Sequence, residues 1–200
     1  MPTPSEIVDF SEDPVPAGAS PWVGPRSRER IEMVRADPGW PARFHAVADR
    51  VRGALGPRVL ELHHVGSTSV PGLDAKPIID VDLIVADPSD EAAWLPPLEA
   101  AGFVLRVREP WWQEHRMLRS EDPATNLHVF GPESAEPWKH RIFRDHLRCN
   151  ARDREHYASA KHAAAEQANR RGETTMDYNL RKQETIREIY ARAFRAAGLI

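Results

Sequence analysis

Apolar positions along this chain follow two periods, and the switches between them mark its elements. From Pro41 to Leu55, Phe44, Val47, Val51 and Leu55 recur at helical spacing, which predicts an amphipathic helix stopped by Gly56-Pro57. Val59 to Val65 is β-like. Ile78 to Val85 (IIDVDLIV) has the strongest strand pattern, β-branched and apolar residues around two aspartates. Asp90 to Ala101 predicts a helix ended by Gly102. Phe103 to Arg108 alternates, with Phe103, Leu105 and Val107 on one face and Val104, Arg106 and Arg108 on the other. Short strands follow at Arg116–Arg119 and Asn126–Phe130. Helices then cover Glu136–Arg148, Asp153–Arg170 and Met176–Ala197, with Gly172 between the last two.

Proline sets the boundaries. Six of the 18 prolines fall in the first 25 residues and none follows Pro137, so the tail from Trp138 can be helical throughout. Residues 1–30 read as an extended arm of low intrinsic order, with Ile7, Val8, Phe10 and Trp22 as anchors. Residues 31–200 read as one domain whose part from about 136 is helical. Strands and helices interleave first and helices cluster at the end. This predicts an α+β (mixed α/β) fold, a small mixed sheet flanked by helices with a helical C-terminal region.

Composition narrows the partners. Lys plus Arg is 27 and Asp plus Glu is 30, a net charge of −3, which lacks the strongly basic footprint of a general nucleic-acid binder. No stretch approaches the ~20 apolar residues of a membrane span. The acidic start lacks a basic-then-apolar leader, so a cytoplasmic protein is expected. The single cysteine, Cys149, excludes an intrachain disulfide framework and a cysteine-rich zinc site, and is read as a packing residue.

The chemistry concentrates in residues 64–85, HVGSTSVPGLDAKPIIDVDLIV. Gly66-Ser67-Thr68-Ser69 follows a strand, and a Gly-Ser turn there offers backbone N–H groups and small hydroxyls that suit phosphate oxygens. Asp80 and Asp82, two apart on a strand, point to one face, while Ile79, Val81 and Leu83 point to the other. Adjacent carboxylates repel unless a cation neutralises them. Mg²⁺ commonly takes one or two carboxylates plus substrate phosphates. Lys76 lies between turn and pair. A strand this apolar is expected to be buried, where unpaired carboxylates cost several kcal/mol.

Weaker candidates surround this stretch. His63, His64 and His128 could form a Zn²⁺ or Mn²⁺ site with the aspartates, or the first two could simply hydrogen-bond at the strand end. Arg141, Arg144, Asp145 and Arg148 share one helix face. That face could meet a triphosphate, or pair internally through Asp145. Tyr178 and Lys182, at i and i+4, could stack on a base and bind a phosphate. Trp111-Trp112 could line a pocket, or pack at an edge.

The string HVGSTSVPG…AKPIID, with NLHVF at 126–130, FRDHLR at 143–148, and Tyr178 with Lys182, resembles the GrpB family (UPF0157), a branch of the polymerase-β-like nucleotidyltransferase superfamily. The resemblance covers about residues 37–195. The superfamily pattern is a Gly-Ser turn, roughly ten residues, then acidic-x-acidic on a strand. Here twelve residues separate Ser67 from Asp80. The resemblance implies that Gly66 and Ser67 contact nucleotide phosphates, that Asp80 and Asp82 hold Mg²⁺ (Mn²⁺ as the alternative), and that a nucleoside triphosphate donates a nucleotidyl group to an unidentified small-molecule or protein acceptor. Fusion of relatives to dephospho-CoA kinase hints at nucleotide or coenzyme metabolism. Active superfamily members add a third carboxylate on a neighbouring strand. On NLHVF that place falls to His128, a possible general base or ligand. A non-catalytic nucleotide-binding module and a metal-dependent phosphohydrolase are the alternatives.

Overall fold

The computed structural model describes residues 1–11, 14–24 and 30–200. The rest of the expected arm, residues 12–13 and 25–29, lies outside the described residues. The β pattern becomes five strands: β1 (Glu61–Val65), β2 (Ile79–Ile84), β3 (Val104–Glu109), β4 (His115–Glu121) and β5 (Ala124–Phe130). They form one mixed sheet in the order β1-β2-β5-β4-β3. Only β2 and β5 run parallel, with Asp80 opposite Asn126 and Asp82 opposite His128. The expected short strand Arg116–Arg119 extends to seven residues because both its neighbours pair with it.

Strand alternation makes the sheet two-faced. Ile79, Val81, Leu83, Leu118, Leu127 and Val129 are buried against α2 (Trp40–Leu55) and α3 (Glu91–Ala100), which contribute Trp40, Val47, Val51, Leu55, Trp94 and Leu98. The opposite face carries Asp80, Asp82, Asn126 and His128. Helix α4 (Glu136–Cys149) lies over that face at β1. Its guanidiniums reach the strand: Arg144 Nη1 donates to His64 O at 2.9 Å and Arg141 Nη1 to Glu61 at 3.1 Å. Behind α4 stands α5 (Ala151–Arg171), and Leu147 and Tyr157 close a second core with Val70, Leu73 and Ile189.

Three expectations are corrected. The helix predicted over Met176–Ala197 is two helices, α6 (Thr175–Arg181) and α7 (Gln183–Ala196), broken at Lys182. Thr174 and Asp177 cap α6 reciprocally, and Lys182 ends one helix and begins the next. The arm is not wholly extended. Thr3 and Glu6 form a capping box that starts α1 (Pro4–Val8), and Ile7 and Phe10 pack with Tyr190 and Phe194. Farther along, Trp22 bridges to Val107 and pairs the arm with the β3 edge. Cys149 is exposed. It follows Leu147 by two residues, so it points away from the side of α4 that Leu147 buries. No helix among the described residues is long and apolar enough to cross a membrane.

Candidate functional site

The turn after β1 is held tightly against Asp80. Gly66 has φ 65° and ψ −171°, a conformation essentially reserved for glycine. A Cβ there would lie 2.3 Å from Asp80 Oδ2 and 2.9 Å from its Cβ. Only glycine lets the turn and the carboxylate approach this closely. Ser67 begins a single 3-10 turn, and Thr68 is buried within it. The Thr68 hydroxyl donates to Ile78 O at 3.2 Å and meets His64 Nε2 at 3.0 Å, so it fixes the turn. From α4, Arg148 donates twice to Ser69 O, at 3.0 and 2.8 Å. Arg144 and Arg148 also pair with Asp145. The basic helix face thus clamps the backbone of the turn.

Asp80 and Asp82 share the polar face, as the alternation requires, but their surroundings differ. Asp80 is partly exposed and accepts from Asn126 Nδ2 at 2.9 Å. Asp82 has no exposure. Both its oxygens face His140 Nδ1, at 3.1 and 2.9 Å. Burial disfavours the Asp82 anion, but the charge and hydrogen bond of His140 outweigh it and hold the carboxyl below its ordinary value. Burial likewise disfavours the His140 cation, yet Asp82 and Glu136 raise its pKa to about 9. The site therefore carries an imidazolium locked onto Asp82. Burial is the largest cause that keeps His128 neutral, with its pKa lowered to about 4.

His140 was not singled out by the sequence, nor were Tyr157 and Lys161. Four of the 27 basic Lys and Arg residues are lysines, and three of them converge beside Asp80. The ammonium groups of Lys76 and Lys182 lie over the Tyr178 ring at 5.6 and 4.6 Å. Those of Lys161 and Lys182 lie over the Tyr157 ring at 5.3 and 6.0 Å. Lys161 is 2% exposed and donates to Asp74 O at 2.7 Å. Burial, reinforced by Lys182 and Lys76, lowers its pKa to about 7 against the pull of Asp80. Burial lowers Lys182 to about 8. The rarity of lysine was the one linear signal that could have found this group. The fourth, Lys139, pairs with Glu136 at 3.1 Å.

The histidine cluster with the aspartates does not form. Adjacent residues of β1 face opposite ways: His63 opposes Asp82 while His64 opposes Val81 and stacks on Phe44. Among the described residues, no group of three or more His, Cys, Asp and Glu side chains is placed to hold a metal. Trp112 packs its edge on His115 and Phe130. A cavity of about 310 Å³ opens beside the turn, with Gly66, Ser67, His140, Phe143, Tyr157 and Tyr190 in its wall.

Comparison with known proteins matches residues 30–192 to the family model described as GrpB protein. The chain belongs to the GrpB family. It is 44% identical over 163 residues to a UPF0157 protein of Halalkalibacterium halodurans, covering 82% of each chain. A UPF0157 protein of Streptomyces coelicolor is 39% identical over 170 residues, covering 85% of this chain and 87% of its own. The crystal structure of the conserved protein GrpB from Enterococcus faecalis superposes with a TM-score of 0.72 at 26% identity, covering 83% of this chain and 99% of that one. The GrpB match begins at residue 30, so α1 and Phe10 lie outside it. Every residue of the site described above lies inside it.

Proposed function

We propose that the chain binds a nucleoside triphosphate at the Gly66-Ser67 turn and transfers its nucleotidyl group to a hydroxyl of a small-molecule or protein acceptor. The observation that carries this reading is the convergence of a glycine-only turn, a carboxylate and three lysines on one spot. Clustered cations suit a polyanionic triphosphate, and Tyr157 and Tyr178 shape the group.

Asp80 and Asp82 would hold Mg²⁺ or Mn²⁺. Two carboxylates are too few for a resident ion but fit one that arrives with the phosphates completing its oxygen shell. When bound, the ion would neutralise phosphate charge and polarise the α-phosphate. It would compete with the His140 imidazolium for Asp82. The acceptor would occupy the cavity beside the turn. Its hydroxyl oxygen forms a bond to the α-phosphorus, the bond from that phosphorus to the β-phosphate bridge oxygen breaks, and pyrophosphate leaves. The hydroxyl proton goes to neutral His128, which faces the site from β5 beside Asp82. Lys76, Lys161 and Lys182 offset the charge of the departing pyrophosphate.

One observation favours a second reading, a non-catalytic nucleotide-binding module: Asp82 already has a counter-cation in His140, and no third carboxylate stands on β5. Calorimetric titration of ATP, GTP, CTP and UTP with Mg²⁺ or Mn²⁺, on wild type and Asp82→Asn, tests both. The transfer reading expects metal-dependent binding lost in the variant, and pyrophosphate release once an acceptor is supplied. Binding without turnover selects the module, and phosphate release without acceptor selects a phosphohydrolase. Absence of nucleotide binding overturns both the transfer reading and the module.

A further inference from the structure

The hairpin joining β3 to β4 places Glu109 opposite His115 in register. Glu109 Oε2 lies 2.8 Å from His115 Nδ1, and His115 Nε2 lies 3.0 Å from His128 Nδ1. The two imidazoles lie within 19° of parallel with centroids 5.2 Å apart. Nitrogens much closer than centroids mean that the rings meet edge to edge, as an in-plane N–H···N bond requires. His115 is 5% exposed, with Phe130 stacked on its ring and Trp112 packed edge-on against it. Turning the ring would break both contacts.

From this geometry we propose that Glu109 and His115 are positioning residues that fix the tautomer of His128, leaving its Nε2 an unprotonated acceptor for the site. The logic is one of donors and acceptors. An ionised carboxylate only accepts, so His115 Nδ1 carries the hydrogen. With a single ring proton held on Nδ1 by Glu109, His115 presents a bare Nε2 that accepts, so His128 Nδ1 donates to it; a second proton on His115 would reverse this bond and put the His128 hydrogen on Nε2. The remaining lone pair of neutral His128 is on Nε2. The inference rests on the reading of His128 as the group that takes the acceptor's proton. It adds what that reading lacks, a reason why the nitrogen away from His115 is free to accept.

The same hairpin ties the relay to α4. Gln113 and Glu114 both have φ 51°, an uncommon conformation for residues with side chains. Gln113 Oε1 accepts from Ala135 N at 2.8 Å and Glu136 N at 3.2 Å, at the start of α4. The turn that carries His115 to His128 thus also anchors the helix that carries His140 to Asp82.

Nitrogen NMR of the full chain with ¹⁵N-labelled histidine reads the tautomer directly, with His128 assigned through His128→Gln. In wild type, His128 Nδ1 should show the protonated-type shift and Nε2 the bare type. In Glu109→Gln the side-chain amide can donate to His115 Nδ1, which reverses both bonds. The His128 Nε2 signal should then move to the protonated type. His115→Phe, which removes the acceptor, should abolish the preference for the Nδ1 hydrogen. A wild-type His128 protonated on Nε2, or a tautomer unchanged in both variants, overturns the relay. Pyrophosphate release separates this from the wider reading. A preserved tautomer switch in a protein that transfers nothing rejects the transferase and leaves the relay standing. Transfer lost in His128→Gln with an unswitched tautomer rejects the relay alone.

Discussion

His140 Nδ1 lies 2.9 Å from one carboxylate oxygen of Asp82 and 3.1 Å from the other, and the Asp82 side chain has no exposure. A helix and a strand 58 residues apart are thereby joined at the centre of the site. Removing one partner of a buried pair costs roughly 3–5 kcal/mol. The His140 side chain retains 27% of its exposure, so His140→Asn should cost somewhat less, about 2–4 kcal/mol in urea unfolding. Pairing it with Asp82→Asn should recover part of that loss, and strictly additive losses would refute the coupling. The raised pKa of His140 means that its contribution is complete below its ordinary 6.5 and fades as pH rises through about 9. Wild type and His140→Asn should therefore converge in stability above that pH.

Gly66→Ala tests the close approach of turn and carboxylate. The backbone conformation alone costs about 1–3 kcal/mol for a side-chain residue, and the added carbon would displace Asp80. Thermal unfolding should fall by several degrees. Nucleotide affinity should fall about tenfold or more, as a loss of about 1.4 kcal/mol implies. Retention of wild-type stability and binding would show that the turn relaxes freely.

Lys161 gives a pH dependence of opposite sign. Its pKa falls from an ordinary 10.5 to about 7 in the fold, chiefly through burial. The unfolded chain holds this proton where the folded chain releases it, so stability from this group rises with pH between about 7 and 10. Lys161→Met should be the more stable protein near pH 6, by about 2–4 kcal/mol at ~1.4 kcal/mol per unit and after losing the bond to Asp74. The advantage should shrink toward pH 10 while triphosphate affinity drops. An unchanged slope of stability against pH would refute the assignment.

The arm makes a separate prediction. Phe10 meets Tyr190 edge-on at 5.1 Å and takes Lys139 and Arg187 over its ring at 4.9 and 4.5 Å. It is only partly buried, so Phe10→Ala should cost about 1–2 kcal/mol, below the 3–5 of a fully buried ring. Limited proteolysis should then cut residues 1–11 faster than in wild type. Equal cutting rates would mean that the arm is held by α1 alone.

Much of this was legible in the chain. The strand IIDVDLIV, its two aspartates on one face and its apolar residues on the other follow from a period of two, which neighbours in sequence set by themselves. The Gly-Ser turn, the amphipathic α2 and the helical tail were equally local. The break at Lys182 was missed because Arg181 and Gln183 fit a continuous helix, and only the cap at Thr174 and the packing of α6 decide it. Arg144 and Arg148 were placed on the right face of the right helix, but their targets, His64 O and Ser69 O, belong to backbone that no pattern brings near.

By itself, then, the sequence determined which residues share a face and where each element turns, because those are constraints between close neighbours on a stiff backbone. The tertiary structure alone decided who stands opposite them. How α4 rotates over the sheet puts His140 rather than Arg141 on Asp82. The stacking of α5 and α6 gathers Lys161, Lys182, Tyr157 and Tyr178 around Asp80, and the β3–β4 hairpin delivers His115 to His128. Those are orientations of whole elements. They are set by the sum of many side-chain contacts across the fold, a quantity spread over the chain and written at no single position in it.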